Sequence, residues 1–449
     1  MKVQYISSAC VVIEHNGIRV LCDPWLTDGI YYGSWYHYPP PAARPEEFAG
    51  VDYIYVSHIH QDHFDVETLK RLPRSIPVLI HDFADKFLAR LLAGLGFERI
   101  IEVPHGATIP LGPDLMVEVL AADHCDPVAC GRLFGCLVPQ PYPRTMQIDS
   151  LAVFRGGKIT VVNTNDCLYE LSAGVCEYIR SRYRSVDFLL VGYSGAGSYP
   201  QCFENLDHAA KLEQAAAKRQ RFLEQALKYI KHLQPTYFMP FAGQYYLGGR
   251  LTVLNPLRGV PELEELPTIF PPLLARDGVA AEMVLLNSGE FFDVTAGSAT
   301  APFRPPDAVA RQRYIHDVLS QKRFVYEAEG YIDPSNRMDL TPRLQEAHAR
   351  LLHHQDRYSG YRSPWKLYLD VGQEALYCIA FDGSAVTATK PGCEQTPFLR
   401  LGLDYSLLSM ILNRTAHWSN AEVGSHLRYF RQPDRFERAL HLLISYLHC

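Results

Sequence analysis

Ser57-His58-Ile59-His60-Gln61-Asp62-His63 follows directly on a short apolar run, Tyr53-Ile54-Tyr55-Val56, that reads as a buried β-strand. Four side chains able to ligate a metal, His58, His60, Asp62 and His63, fall within six residues. His58 and His60 lie two apart, so on extended backbone their imidazoles share one face. Asp62 and His63 come as the chain turns, and one cluster of this kind can serve two ions. A lone histidine after a strand is an ordinary cap or turn residue. Imidazole and carboxylate at this density restrict the chain to folds in which a sheet edge builds a metal site.

Such a site needs ligands from elsewhere, and two further strand ends supply them. Ala121-Ala122-Asp123-His124 closes one apolar run, with His124 as a third imidazole. Val161-Val162-Asn163-Thr164-Asn165-Asp166 closes another, and the two oxygens of Asp166 can bridge two metals. All the candidates thus stand at strand ends of a layered α/β chain, where the ligands of such folds gather. The layering itself is read from element order. Residues 3–13 and 18–21 flank Asn16-Gly17 as a β-hairpin. A helical segment at 66–72 stops at Pro73, a strand covers 77–80, and a helix at 85–94 ends at Gly94 and Gly96. Strands at 115–121, 150–155, 159–163 and 188–191 follow, then one long amphipathic helix over 203–233 closed by Pro235, then a strand at 236–240. This alternation predicts an α/β architecture.

At 449 residues the chain exceeds what one core fills, and its composition changes after residue 250. We expect a metal-binding domain over 1–250, a Pro-rich linker or wrapping segment over 251–310, and a smaller α+β domain over 311–449. The last should hold a helix near 342–355, strands at 365–371, 375–381 and 384–389, and two C-terminal helices, the first built on Leu407, Leu408, Ile411 and Leu412. Ser194-Gly195-Ala196-Gly197-Ser198 lacks the lysine of a phosphate-binding P-loop and reads as a tight turn lining the pocket. Cys167, next to Asp166, reads as a buried structural thiol.

The run His58-x-His60-x-Asp62-His63, with the later His124 and Asp166, resembles the metallo-β-lactamase superfamily. Asp23-Pro24-Trp25-Leu26, Tyr55-Val56-Ser57-His58, Asn163 to Cys167, Ser194 to Pro200 and Pro240-Phe241-Ala242-Gly243 are similar to the metallo-β-lactamase-like part of CMP-N-acetylneuraminate hydroxylase, over roughly residues 8–250. The resemblance implies an αββα sandwich with a mono- or dinuclear site at one sheet edge. It implies His58, His60, Asp62, His63, His124 and Asp166 as ligands, with Asp62 and Asp166 as the catalytic carboxylates.

Two departures bear on the chemistry. Most hydrolases of the superfamily close the second metal site with a histidine after the last core strand. Here that stretch is Met239-Pro240-Phe241-Ala242-Gly243-Gln244, which leaves His81, His105 or His208 as substitutes. The hydroxylase also carries a Rieske iron–sulfur domain, and this sequence has no paired Cys-x-His and Cys-x-x-His ligand set. The resulting expectation is a non-heme iron oxygenase or hydroxylase. It would hold one or two Fe ions, use O₂ as co-substrate, and act on a small-molecule or nucleotide-sugar-like substrate with electrons from an external donor protein. The alternative is a Zn- or Mn-dependent hydrolase cleaving an ester, amide or phosphodiester with metal-activated water.

Composition sets the remaining bounds. Net charge is −6, which gives nucleic acid no electrostatic footing as a partner. No apolar run is long enough to span a membrane, and no charged and apolar leader opens the sequence. The 11 cysteines are scattered and form no CxxC pair, as expected of reduced thiols in a cytoplasmic protein. A homo-oligomer is left open.

Overall fold

Asn16 (φ 47°) and Gly17 (φ 81°) both take the left-handed conformation of a tight hairpin turn, and the flanking residues pair Glu14 with Arg19 and His15 with Ile18. The apolar run before them is not one strand. It breaks at Ser8 (φ 44°) into Lys2–Ser7 and Cys10–His15, which pair antiparallel, so residues 2–22 form a three-stranded meander rather than a single hairpin.

The computed structural model describes residues 1–83, 85–122, 149–328, 339–358, 362–437, 440 and 443–449. Two sheets dominate. The first runs, in spatial order, Ser298–Ala299, Phe291–Asp293, Lys2–Ser7, Cys10–His15, Ile18–Cys22, Tyr53–Tyr55, Val78–His81, Ile100–Val103. The second runs Glu282–Met283, Tyr237–Phe241, Phe188–Gly192, Ile159–Asn163, Ser150–Gly156, Leu115–Ala121, Thr108–Pro110. Both faces of each sheet are covered, which is why their strands read as continuous apolar runs. Val11, Ile13, Val20 and Leu79 meet Val117, Phe154, Val161 and Leu190 between the sheets. Val12, Leu21, Ile54 and Val78 turn outward under the helices Val66–Lys70 and Phe87–Gly94. Leu151, Val153, Leu189 and Phe238 turn outward under Tyr169–Arg182, His208–Leu233 and Leu266–Arg276. The layers are therefore αββα, as the family resemblance implies, and they carry the α/β alternation that the element order predicts. The Pro-rich stretch after residue 250 supplies Glu282–Met283 to one sheet and Phe291–Asp293 with Ser298–Ala299 to the other.

The long helix begins later than its periodicity suggests. Asp207 caps it by accepting from Ala210 N at 2.8 Å, and the helix runs His208–Leu233. Phe203, which continues the apolar spacing, instead stacks on Tyr429 of the C-terminal domain with ring centroids 4.7 Å apart. Asp207→Ala should lower stability by about 1 kcal/mol, read as a lower urea midpoint by far-UV circular dichroism.

The C-terminal domain has its own core around a five-stranded sheet ordered Thr387–Thr389, Leu376–Ile379, Lys366–Asp370, Phe398–Gly402, Arg428–Gln432, with the helix Thr341–Tyr358 against it. Tyr405–Leu412 is helical as expected. Trp418–Val423 and Arg428–Gln432 are an additional helix and strand that apolar spacing did not mark. Among the described residues no helix is long and apolar enough to cross a membrane.

Candidate metal centre

The first sheet delivers the cluster through two adjacent parallel strands. Ile18–Cys22 ends at Asp23, held at φ 45°, and Tyr53–Tyr55 leads into Ser57 and His58. The Asp23 carboxylate ties them together. Ser57 N donates to its Oδ1 (2.7 Å), Ser57 Oγ to its Oδ2 (2.8 Å), and His63 Nδ1 to the same Oδ2 (2.9 Å). The Ser57 hydroxyl proton is committed to Asp23, so Ser57 Oγ accepts from His58 Nδ1 at 2.9 Å. Both imidazoles thus spend Nδ1 on these partners and turn Nε2 the other way, the second-sphere arrangement that orients a histidine toward a metal.

The two Nε2 atoms look onto one cluster. His58 Nε2 lies 2.8 Å from His60 Nδ1 and 3.8 Å from Asp149 Oδ1. His63 Nε2 lies 3.3 Å from Asp166 Oδ1 and 3.6 Å from Asp62 Oδ2. Two groups result, His58–His60–Asp149 and His58–His63–Asp166, each with ligand atoms within 4.8 Å of one another, and His58 is common to both. His63 Nε2 and Asp149 Oδ1 are buried and lack a hydrogen-bond partner. Buried polar atoms without partners are costly, and a cation at either group would satisfy them.

Asp166 reaches this point through a shaped turn. Asn165 sits at φ 46°, its Nδ2 donating to Ser150 O (2.9 Å) and Tyr55 Oη (3.2 Å), while its backbone N donates to Asn163 Oδ1 (3.1 Å). Burial, with His63 and His60 nearby, pushes the His58 imidazole well below its ordinary range. Burial would do the same to His63, but the Asp166, Asp23 and Asp62 carboxylates outweigh it and push that ring above its ordinary range. Burial raises the Asp149 carboxyl to about 6. Burial also opposes ionisation of Asp166, and His63 overrides it, keeping that carboxyl below its usual value.

Sequence reasoning therefore places His58, His60, Asp62, His63 and Asp166 together. His124 lies outside the described residues. Asp149 was missed, although it immediately precedes the strand Ser150–Gly156 and satisfies the same strand-end criterion that marked Asp166.

Residues 2–125 match the family described as the Beta-lactamase superfamily domain. The sandwich is a metallo-β-lactamase fold. A Mycolicibacterium smegmatis protein named for a Rieske 2Fe-2S iron–sulfur centre is 29% identical over 349 residues, 73% of this chain and 61% of the relative. The Mus musculus cytidine monophosphate-N-acetylneuraminic acid hydroxylase is 26% identical over 252 residues, 55% of this chain and 39% of the hydroxylase. The chain thus spans about two-fifths to three-fifths of the length of these curated relatives. Among solved structures, CmlA, a diiron β-hydroxylase from Streptomyces venezuelae, is 21% identical with a TM-score of 0.39, over 63% of this chain and 52% of its own. Igni18, a metallo hydrolase from Ignicoccus hospitalis, is 17% identical with a TM-score of 0.39, over 65% of this chain and 98% of its own.

The metallo-β-lactamase sandwich also shows what stands where the last histidine is absent. Gln244 turns to Tyr193 Oη at 3.0 Å, and Ala242 (φ 57°) donates its N–H to Ser8 O. Of the three substitutes, His81 and His105 face each other with centroids 6.1 Å apart, His208 is exposed at a helix start, and none belongs to either ligand group. Next to the cluster lies a cavity of about 280 Å³. His60, Asp62, Asp149 and Asp166 form one wall, Ser194, Gly195 and Phe222 another, and Glu422 enters from the C-terminal domain. The 194–198 loop is thus a pocket-lining turn, and a Cβ on Gly195 would fall 1.9 Å from the Phe222 ring. Cys167 is buried, and burial raises its thiol far above the usual value, which suits a structural residue.

Proposed function

We propose that the chain is a metal-dependent oxygenase that hydroxylates a small molecule with iron and O₂. The ligands in this reading are His58, His60, Asp62, His63, Asp149 and Asp166, joined by His124 from the sequence motif. The observation that carries it is the donor set: Asp149 and Asp166 accompany three described imidazoles in two groups that share His58, and Asp62 Oδ2 lies 3.6 Å from His63 Nε2. Mixed imidazole and carboxylate donors suit iron or manganese at least as well as zinc. Likeness to a hydroxylase and to a Rieske-named protein supports the oxidative side.

Iron held there supplies the electron-transfer chemistry with O₂ that inserts one oxygen atom into a C–H bond. The balance, R–H + O₂ + 2e⁻ + 2H⁺ → R–OH + H₂O, requires two electrons, which we assign to a separate donor protein. Asp62 holds a hydrogen bond from Tyr31 at Oδ1 and keeps Oδ2 toward His63, placing a proton acceptor at the cavity wall. Asp166 provides the carboxylate of the group that holds His58 and His63. Among the described lining residues the carboxylates are Asp62, Asp149, Asp166 and Glu422, with no lysine or arginine. That favours a neutral or cationic substrate over a nucleotide sugar. The described cysteines are free, in keeping with a cytoplasmic site of action.

The hydrolase reading rests on the same Asp62, whose Oδ2 is placed to orient a metal-activated water. Metal analysis separates the two. Protein expressed with equal iron, zinc and manganese should retain mainly iron, and its reduced form should consume O₂ on mixing in a stopped-flow cell. Retention of zinc or manganese, with no O₂ uptake by an iron-loaded sample, overturns the oxygenase assignment.

A further inference from the structure

Tyr31 (φ 50°, ψ 56°) and Tyr32 (φ 59°, ψ 32°) both occupy the left-handed region, a strained backbone for two consecutive residues with side chains. What holds them there comes from the C-terminal domain. His426, 7% exposed, donates from Nε2 to Tyr31 O at 2.7 Å. Its Nδ1 accepts from Tyr326 Oη at 2.8 Å. Burial keeps this imidazole at about 4, so the ring is neutral with one N–H. A carbonyl can only accept, which fixes that proton on Nε2. Beside it, His417 N donates to Tyr32 Oη at 2.7 Å.

The other side of Tyr31 faces the cluster. Its N–H donates to Gln61 Oε1, its hydroxyl accepts from Gln61 N at 3.1 Å, and the same hydroxyl donates to Asp62 Oδ1 at 2.5 Å. Asp62 then presents Oδ2 to His63 Nε2. A continuous line of directed contacts therefore runs Tyr326–His426–Tyr31–Asp62, from one domain to the ligand cluster of the other. A contact serving adhesion alone has no need of a strained strap. Here the strain brings both polar ends of Tyr31, carbonyl and hydroxyl, onto partners in two domains.

We infer that the C-terminal domain is a working part of the metal centre, with His426 as a positioning residue that sets the Asp62 carboxylate through the Tyr31 strap. This rests on the reading of the cluster as a metal site. Its test uses Co(II) as the probe and needs no substrate.

The full chain, stripped of metal, is titrated with Co(II) and followed by its visible absorption. His426→Ala and Tyr31→Phe should each shift the wild-type bands and weaken binding of at least one ion by about ten- to a hundredfold. His426→Gln, whose amide can donate to Tyr31 O and accept from Tyr326, should restore both. Asn205→Ala serves as the control. It removes a separate interdomain contact, in which Asn205 Nδ2 donates to Arg431 O (2.8 Å) and Asn205 Oδ1 accepts from Arg431 N (2.9 Å), and should leave the spectrum unchanged. If His426→Ala fails to fold, Tyr326→Phe takes its place, because it deletes the hydroxyl that orients His426 and keeps the ring, and it should shift the bands in the same direction. Wild-type bands and affinity in Tyr31→Phe, or an equal disturbance by Asn205→Ala, overturn the inference. A wild type that takes up no Co(II) removes the metal reading itself and the inference with it.

Discussion

Replacing His58 and His60 together by alanine should abolish metal retention. Elemental analysis should find one to two transition-metal ions per wild-type chain and less than roughly a tenth of an ion in the double variant. The expected loss is large because His58 belongs to both ligand groups. Without it and His60, one group keeps only Asp149, and the other keeps His63 and Asp166. Substituting the exposed His316, whose side chain is 88% accessible, removes a histidine at no cost to the site and should leave metal content unchanged. Folding must be followed in parallel. His58 is fully buried, and alanine there opens a polar void beside Ser57 and Asp23. A near-UV circular dichroism spectrum that retains its aromatic signal separates loss of ligands from loss of structure. Equal metal content in wild type and double variant would remove the basis for any enzymatic assignment.

The part of this site legible in the sequence is the part whose placement is local. His58, His60, Asp62 and His63 lie on one strand end and the turn after it, so spacing alone brings them together. The same holds for Asn163 to Asp166, where a polar run follows β-branched residues. The α/β layering was legible for a related reason: strands buried on both faces show as continuous apolar runs, and their order constrains the layers, while the sandwich itself came from the family resemblance. What local pattern does not encode is which surface an apolar or polar face will meet. Phe203 and Leu206 keep helical spacing with the residues after them, yet both pack against the C-terminal core. The Tyr-rich stretch from residue 31 reads as a loop without a core of its own. In the fold Trp35 stacks on Tyr245 at 3.5 Å, and Tyr31, more than thirty residues from Asp62 in sequence, is its hydrogen-bond partner. Asp149 illustrates the limit on the polar side. An aspartate before a strand is common, and its value as a ligand comes from His58, which approaches from the other sheet.

Lys218→Met should stabilise the protein below neutral pH and flatten its pH dependence. Lys218 lies on the helix His208–Leu233, 6% exposed. Burial, followed by the nearby Arg221 guanidinium, brings its amine from 10.5 down to about 7. The folded-state value is depressed for a base, so the fold binds fewer protons than the unfolded chain between these two values. Stability then rises with pH across that window, and the penalty of the buried ammonium is fully present below about 7. Each unit of displacement corresponds to about 1.4 kcal/mol, so the penalty is on the order of a few kcal/mol. Methionine matches the stem in length and carries no charge. It forgoes the hydrogen bond from Nζ to Tyr199 O (3.2 Å), worth about 1 kcal/mol. The net expectation is a variant more stable than wild type by roughly 2 kcal/mol at pH 6, with the order reversed near pH 10, where the wild-type amine is neutral in the fold and its hydrogen bond remains. Urea midpoints for both proteins at pH 6, 8 and 10 test this, and parallel curves would refute it. The contact that the amine keeps has a physical rationale. Tyr199 directly follows the 194–198 loop, so the Lys218 amine ties the helix to the residue after a cavity-lining turn.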